Sequence, residues 1–467
     1  MKHKIKKIHF IGIGGVGMAG IAEVLHNLSY EVTGSDIANS YTIERLISLG
    51  IKINIEHDAT CVHNKDVIVV STAINKDNIE LLEAKKLLIP VVPRAMMLAE
   101  LMRFKYGIAI AGTHGKTTTT SLTSEVFSEC NLDPTFIIGG KLSVTGSNAK
   151  LGAGDYLIAE ADESDASFLY LSPLIAVVTN IDCDHMATYD HDENKLKQVF
   201  IDFLHRLPFY GKAVLCNEDT KVREIIPYIT KPILTYGFSK NSDIYAIDIH
   251  STTTQMHYTV CINNADGSVL QQKVVLNLLG MHNVLNSLAV IAVGLECGIK
   301  LPNIAAALSK FHGVARRCQL YTGAKINNLP ITLIDDYGHH PSELKATISA
   351  LKNAYPNNRM ILIFQPHRYT RTRDLFDDFV NVLSNVNHLI IMEVYSAGEE
   401  VIKFADGKSL IKAIKQAGVM DVMFANSFDE VKSLLDNMTI AEDLVLTMGA
   451  GNIGKLPEFL LKSHKAN

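Results

Sequence analysis

Ala111-Gly112-Thr113-His114-Gly115-Lys116-Thr117-Thr118 follows the apolar stretch Ile108–Ala111 and leads into residues with helical spacing. In such a loop backbone amides cradle phosphates, Lys116 would meet the β/γ oxygens, and Thr117 would ligate magnesium. The string departs from GxxxxGK[ST], since the first glycine position falls on Ile110. A chance loop is the bland alternative, but strand, Gly-Lys-Thr and helix together favour nucleotide binding. No NKxD base-reading motif occurs, which disfavours a GTPase switch.

Ile158-Ala159-Glu160-Ala161-Asp162-Glu163-Ser164-Asp165 ends another apolar stretch in a burst of carboxylates. A magnesium–ATP site needs a carboxylate at such a strand end. Glu160, nearest the apolar stretch, is the choice, and for most of the four acids a solvated loop suffices. Val178-Thr179-Asn180-Ile181-Asp182-Cys183-Asp184-His185-Met186 ends the next strand, and both strand ends would face one crevice. His185 could ligate a second metal or transfer a proton; a lone histidine is more often a plain surface residue, and only its strand-end place favours function. Asn283 and Asn286 lie three apart on a helix face, where paired amides could read an adenine edge or simply form a polar helix start.

Asp335-Asp336-Tyr337-Gly338-His339-His340-Pro341 and Gln365-Pro366-His367-Arg368-Tyr369-Thr370-Arg371 each follow a strand and offer anions, imidazoles and guanidiniums. Arginines grip carboxylate or phosphate bidentately, although charged loops can also be merely solvated. Gly12-Ile13-Gly14-Gly15-Val16-Gly17 fits GxGxxG, with Asp36 ending the next strand. It reads equally as a nicotinamide loop, a site for another nucleotide diphosphate, or a tight strand–helix turn. A second match, at Gly449, Gly451 and Gly454, shows how little the pattern decides alone.

These loops need strands and helices to hold them. Ile8–Ile13, Glu31–Gly34, Val67–Val70 and Pro90–Val92 read as strands between helical stretches such as Met18–Leu28 and Ile79–Leu88, implying a parallel sheet. Ile108–Ala111, Tyr156–Ala159 and Ile175–Thr179 form a second strand set, with helices expected over Thr118–Cys130 and Asn283–Leu295. Residues 240–275 alternate polar and apolar, predicting an antiparallel addition with a solvated face. Ile331–Ile334, Met360–Phe364, Leu389–Met392, Val422–Ala425 and Leu444–Thr447 give a third set. The reading is α/β in three domains: a Rossmann-like domain over 1–106, a P-loop ATP-binding domain with added antiparallel strands over 107–313, and a second Rossmann-like domain over 314–467.

The length of 467 residues accommodates three such domains. A charge of −5, from 44 basic and 49 acidic residues, disfavours general nucleic-acid binding. Apolar residues at 47% and charged ones at 20% are a globular mixture. No apolar run approaches the ~18 residues of a membrane span. The basic, apolar start mimics an export signal, but its crowded glycines weaken the supposed helix, and no signal is read there. Seven scattered cysteines without a CxxC pair fit a reducing cytoplasm.

The strings GTHGKTTTT, EADESDASF, TNIDCDH, GMHNVLNSLA, DDYGHHPSE and QPHRYTRTRDLFDDF together resemble the Mur ligases of peptidoglycan synthesis, and among them the alanine-adding branch. The resemblance spans Ile11 to Gly454. It implies that the first domain holds a UDP-sugar, with Gly14, Gly15 and Gly17 close to the UDP and Asp36 near the uridine. It also implies ATP at Gly112, Thr113, His114, Gly115, Lys116, Thr117 and Thr118, and magnesium at Thr117, Glu160 and His185. Adenine would lie beside His282, Asn283 and Asn286; Arg317 and Asp336 would reach ATP, and His340, Arg368 and Arg371 the amino acid.

The implied reaction joins L-alanine to UDP-N-acetylmuramate through an acyl phosphate, releasing ADP and phosphate, with Lys116, Glu160, His185 and His340 catalytic. His340 is expected to be the base that frees the amine. Several family members carry a carbamylated lysine at the position occupied here by Phe200; either Lys197 substitutes or the modification is absent. The implied partners are these small molecules alone, for a monomer or homodimer. Rival readings are a tripeptide ligase of wall recycling, an NAD-dependent oxidoreductase and a nucleotide-gated interaction module.

Overall fold

A computed structural model describes residues 4–71, 73–139, 148–386, 388–418 and 421–462. The chain forms two compact units, one comprising Met1–Ile249, His257–Leu276 and Asn283–His312, the other His250–Met256, Asn277–His282 and Gly313–Asn467.

The first unit begins with β1 (Lys7–Ile11), α1 (Val16–Asn27), β2 (Glu31–Asp36), α2 (Tyr41–Ser48), β3 (Lys52–Ile55), β4 (Val67–Val70), α3 (Ile79–Lys86), β5 (Val91–Pro93) and α4 (Arg94–Met102). Its sheet has the order β3-β2-β1-β4-β5, every pair parallel. Ile8, Phe10 and Ile11 of β1 are fully buried, as a strand covered on both faces must be.

The second sheet is built from β6 (Tyr106–Ala111), α5 (Lys116–Glu129), β7 (Thr135–Ile137), β8 (Ala149–Lys150), β9 (Tyr156–Glu160), β10 (Ile175–Val178), α6 (Glu193–His205), β11 (Lys212–Cys216), α7 (Thr220–Ile225), β12 (Ile233–Gly237), β13 (Ile244–Ser251), β14 (Met256–Asn263), β15 (Val269–Leu276), α8 (Met281–Glu296) and α9 (Leu301–Lys310). Its order is β15-β14-β13-β12-β11-β10-β6-β9-β7-β8. The expected antiparallel addition falls on β13–β15, consecutive neighbours joined by tight turns in which Thr252 N donates to the Gln255 carbonyl and Asn264 N to the Ser268 carbonyl. It joins the parallel part through Tyr236↔Ile244 and Gly237↔Tyr245.

Helix α5 begins two residues earlier than its apolar spacing predicts. Thr and Ser are poor helix formers because their hydroxyls compete for backbone groups. Here the competition is resolved locally: Thr120, Ser121, Thr123 and Ser124 each donate to the carbonyl four residues back, at 2.7–2.9 Å. Satisfied in this way, the helix is buried through most of its length.

The second unit carries β16 (Gln319–Tyr321), β17 (Lys325–Ile326), β18 (Leu329–Pro330), β19 (Thr332–Asp336), α10 (Pro341–Ala354), β20 (Met360–Phe364), α11 (Tyr369–Asp374), α12 (Phe376–Leu383), β21 (His388–Met392), α13 (Gly407–Gln416), β22 (Val422–Ala425), α14 (Phe428–Met438), β23 (Leu444–Met448) and α15 (Leu456–Lys462). Its main sheet is ordered β16-β19-β23-β20-β21-β22, parallel except for edge strand β16. The last strand thus sits inside the sheet. No described helix is long and apolar enough to cross a membrane.

Candidate active site

In the first unit β6 lies between β9 and β10, with Ile110 paired to Glu160 and Ala111 to Val178. The loop after β6, the acidic loop after β9 and the Thr179–His185 loop after β10 therefore leave the sheet together. Gly112 has φ +129°, and a Cβ there would stand 2.1 Å from Thr179 Oγ1. Gly115, at φ +82°, would set a Cβ 2.6 Å from Asn286 Oδ1. Both positions require glycine for conformation and for space.

The neighbouring loop braces this turn. The His114 amide donates to Asn180 Oδ1 at 2.8 Å, while Thr179 Oγ1 and Asn180 Nδ2 donate to the His114 carbonyl at 2.6 and 2.9 Å. Asp182 N donates to Thr113 Oγ1 at 2.8 Å, and the His114 ring lies 3.1 Å from the Asp182 carboxylate. Much of Thr179–Asp182 thus holds the phosphate-type loop in shape.

Lys116 Nζ donates to the carbonyls of Gly112 and Thr113 at 2.6 and 3.0 Å and pairs with Glu163 at 2.8 Å. Burial opposes the ammonium charge, and Glu163 overcomes it, holding the lysine's pKa above its ordinary value. Glu163 is 4% exposed. The expectation of a solvated acidic loop therefore fails at Glu163, whose carboxylate turns inward to the lysine; Asp162, its side chain 40% exposed, meets Arg94 at 3.3 Å and Ser164 at 2.7 Å. Glu160 accepts from the Gly139 amide at 2.8 Å.

Thr117 stands at the start of α5 and Glu160 at the carboxyl end of β9. His185, in the left-handed region at φ 54°, lies in the loop after β10, with Asp184 3.5 Å from its Nε2. Thr117 at a helix start, Glu160 at a strand end and His185 in a loop follow three neighbouring strands; the hydroxyl and the carboxylate are hard oxygen donors of the kind magnesium takes, whereas the imidazole is not. Asn283 and Asn286 are buried, with their amides joined at 3.1 Å. The contact of Asn286 with Gly115 brings this pair to the loop.

At the first glycine loop, Gly12 has φ +78°, and Asp36 accepts from the Gly14 amide at 2.8 Å. A Cβ at Gly17 would stand 2.9 Å from the Arg94 guanidinium. Arg94 begins α4 directly after β5, so it adds a cation to the start of α1, where the helix dipole already attracts anions. Sequence reasoning passed over Arg94; its signal was an arginine immediately after a strand of a parallel sheet. Gly15 lies between these two contacts, at the N-terminus of α1.

In the second unit β19 ends in two buried acids. Asp335 pairs with Arg316 at 2.9 Å and accepts from Thr447 at 2.7 Å; burial still raises its pKa. Asp336 accepts from the Gly338 and Cys318 amides, both at 2.8 Å. Arg317 lies 5.2 Å from the Tyr337 ring centre and 3.9 Å from Glu343. Burial lowers the pKa of His282, against the pull of Asp336.

His340 caps α10: its Nδ1 accepts the Ser342 amide at 3.3 Å, while Glu343 receives the His339 and His340 amides. While Nδ1 accepts, the neutral ring carries its own hydrogen on Nε2. Arg371 approaches His367 Nδ1 at 3.4 Å, and Arg368 meets Glu399 at 3.4 Å. His367 stacks on Tyr395, and its pKa is pushed down to about 4 by burial and then by His339, Arg371 and Arg368. Glu399 and Tyr395 escaped the sequence reading because their loop carries no motif. The glycines 449, 451 and 454 enclose protein atoms: Cβ atoms at the last two would meet Gln365 at 2.5 Å and Arg316 at 2.3 Å.

Three family models match the chain in order: "Mur ligase family, catalytic domain" over 7–106, "Mur ligase middle domain" over 110–294 and "Mur ligase, glutamate ligase domain" over 316–451. UDP-N-acetylmuramate--L-alanine ligase of Chromobacterium violaceum is 56% identical, covering 98% of each chain. The Neisseria gonorrhoeae protein of the same name is 53% identical, covering 100% of this chain and 99% of its own. Among solved structures, UDP-N-acetylmuramate-alanine ligase MurC of Thermotoga maritima matches with a TM-score of 0.81 and 27% identity over 98% and 99% of the two chains. A murein peptide ligase of Psychrobacter arcticus shares the fold, with a TM-score of 0.70 and 22% identity over 98% of each chain. Family models spanning all three sheets, and relatives alike from end to end, place this chain in the Mur ligase family.

Proposed function

We propose that the protein joins L-alanine to UDP-N-acetylmuramate, using ATP and magnesium and releasing ADP and phosphate. The observation that carries this reading is Lys116, held by Glu163 beneath a glycine loop that is followed by Thr117 at the start of α5 and flanked by Glu160 at the end of β9, in a chain alike over its full length with L-alanine ligases.

Gly112 to Thr118 would cradle the ATP phosphates, with Lys116 transferring its charge from Glu163 to the γ-phosphoryl. Thr117, Glu160 and His185 would hold magnesium, which supplies charge neutralisation on phosphate oxygens. Asn283, Asn286 and His282 would line the adenine, and Arg317 and Asp336 would contact the nucleotide. Gly14, Gly15, Gly17 and Asp36 would bind the UDP of the sugar nucleotide. The boundaries at 106/107 and 313/314 follow the same division of labour.

A carboxylate resists an amine because it is anionic and lacks a leaving group. A lactyl carboxylate oxygen attacks the γ-phosphorus, ADP leaves, and the acyl phosphate forms. The alanine nitrogen then attacks the acyl carbon, an amide forms, and phosphate leaves with the former carboxylate oxygen. Arg368 and Arg371 would grip the amino-acid carboxylate. His340 would accept the amine proton at Nδ1, its unprotonated nitrogen, releasing the Ser342 amide as it does so. Positioning and electrostatics supply most of the acceleration in such transfers.

The free cysteines fit a cytoplasmic protein, acting as a monomer or homodimer. UDP-N-acetylmuramate labelled with ¹⁸O in its carboxylate tests the reaction: one label should pass to phosphate and one stay in the amide. Unlabelled phosphate, or no amide, would contradict it.

A further inference from the structure

We propose that Glu80, which lies outside both glycine loops, is a positioning residue for the sugar nucleotide: its buried carboxylate fixes Ser35 beside Asp36 at the end of β2, and these two residues hold the Gly12–Gly14 turn. This role rests on that turn being the UDP site. Glu80 is the second residue of α3 and is fully buried. Each of its oxygens meets two donors. Ser35 Oγ donates to Oε2 at 2.9 Å, and His9 Nε2 lies 3.0 Å from the same oxygen. The Asp58 amide donates to Oε1 at 3.1 Å, with His57 Nδ1 3.3 Å away. One side chain thus ties the middle of β1, the end of β2 and the segment after β3 to the start of α3.

From Ser35 onward the link runs through the backbone. The Ser35 carbonyl accepts the Gly12 and Ile13 amides at 2.9 and 3.1 Å, and the Asp36 carboxylate accepts the Gly14 amide. Three consecutive amides of the turn therefore hang on two residues, one of which Glu80 grips directly. The Asp36 carbonyl in turn accepts the Glu56 amide at 2.8 Å, two residues before the amide that Glu80 holds at Asp58. An acid in the first turn of a helix gains from the helix dipole without needing to leave water. Here burial opposes its charge, and His9, Ser35 and the Asp58 amide overcome it, keeping its pKa below the ordinary value. Stability alone does not call for a carboxylate at this place, since well-packed apolar side chains often serve a core as well as a buried ion pair does. What the four donors add is position: a turn that presents amides to a diphosphate keeps one geometry only while Ser35 keeps its own.

Steady-state kinetics of the full chain, with calorimetric titration of UDP-N-acetylmuramate in the presence of a non-hydrolysable ATP analogue, test this role. Glu80→Gln keeps the shape but must set an amide nitrogen against two donors. It should raise the KM and Kd for UDP-N-acetylmuramate about 10-fold while the KM for ATP stays unchanged. Ser35→Ala removes the link alone and should raise both constants about 3-fold; it decides the matter if Glu80→Gln fails to fold. Thr33→Val removes the hydroxyl that stands 2.9 Å from His9 Nδ1, at the far end of the same set of contacts. It should lower the melting temperature and leave both constants alone. A purely structural Glu80 would reduce the folded fraction, and with it the apparent kcat, without moving either constant, and that result would overturn the proposal. So would an equal rise in the KM for ATP, an unchanged Kd in folded Ser35→Ala, or a rise as large in Thr33→Val. No binding of UDP-N-acetylmuramate by the natural chain would overturn the UDP reading and the proposal together.

Discussion

The loops at Gly12–Gly17 and Gly112–Lys116 share a strand, a glycine turn at positive φ and a following helix, yet what surrounds them differs. At the first, a carboxylate from the next strand, Asp36, accepts a loop amide, and Arg94 covers the start of the helix. At the second, the cation is inside the loop, paired with Glu163, and the Thr179–Asp182 segment braces the turn from the adjacent strand end. The first arrangement presents amides and a fixed guanidinium, suited to holding a diphosphate that does not react. The second holds a lysine whose partner can be exchanged for a transferring phosphoryl. The turn at Gly449, Gly451 and Gly454, filled by Gln365 and Arg316, is a third outcome of the same text. Neighbouring strand ends, rather than the glycine pattern, decide the chemistry.

The largest test of that contrast is Lys116→Ala. It should cut kcat about 10³-fold in phosphate release, and a variant keeping a tenth of the activity would erase the distinction between the loops. Glu163→Gln leaves the buried ammonium without its partner. Without nucleotide it should lose about 3 kcal/mol of unfolding free energy in denaturant titrations, and saturating Mg-ATP should restore part of that loss. Equal losses with and without ATP would mean that phosphate does not replace Glu163.

At the first loop, Asp36→Ala should raise the KM for UDP-N-acetylmuramate about 10-fold and leave the KM for ATP unchanged. A matching rise in both would show that the loops do not divide the two nucleotides. His340→Ala should lower both kcat and stability, the latter by about 1 kcal/mol through the lost cap. His340→Asn retains a capping side chain and should lower kcat alone; normal kcat in the asparagine variant removes the base assignment.

The smallest effect is acid sensitivity at His367, whose pKa is pushed down to about 4 in the fold against an ordinary value of 6.5. Because the folded value is depressed, the unfolded chain binds more protons between those values, and stability falls as pH drops through that window. His367→Gln should flatten that part of the stability–pH curve relative to the natural chain; identical curves would contradict the shift.

Much of the scaffold was legible. Val67–Val70, Met360–Phe364 and Val422–Ala425 are apolar runs whose strand bounds agree residue for residue with the structure. Other ends shifted by a residue or two, because hydrogen-bond pairing extends β19 past Ile334 into the acids Asp335 and Asp336 and carries β23 one residue further, to Met448. Insertion of β23 between β19 and β20 left no local trace, since strand order depends on which helices cover which face. The same limit applied within the site. Four acids within six residues gave no sign that Glu163 would turn toward Lys116, because that choice depends on the path of the chain after β9. Arg94 and Glu399 act across long sequence separations, where spacing carries no information.

The most direct measurement follows phosphate release from ATP with Mg²⁺ and UDP-N-acetylmuramate in three parallel reactions, one with no amine, one with L-alanine and one with the L-Ala-γ-D-Glu-diaminopimelate tripeptide, with product masses read from each. The account predicts sustained release and a ligated mass with L-alanine. Release and ligation with the tripeptide alone would contradict the assigned substrate, and silence in all three would contradict the ligase reading itself.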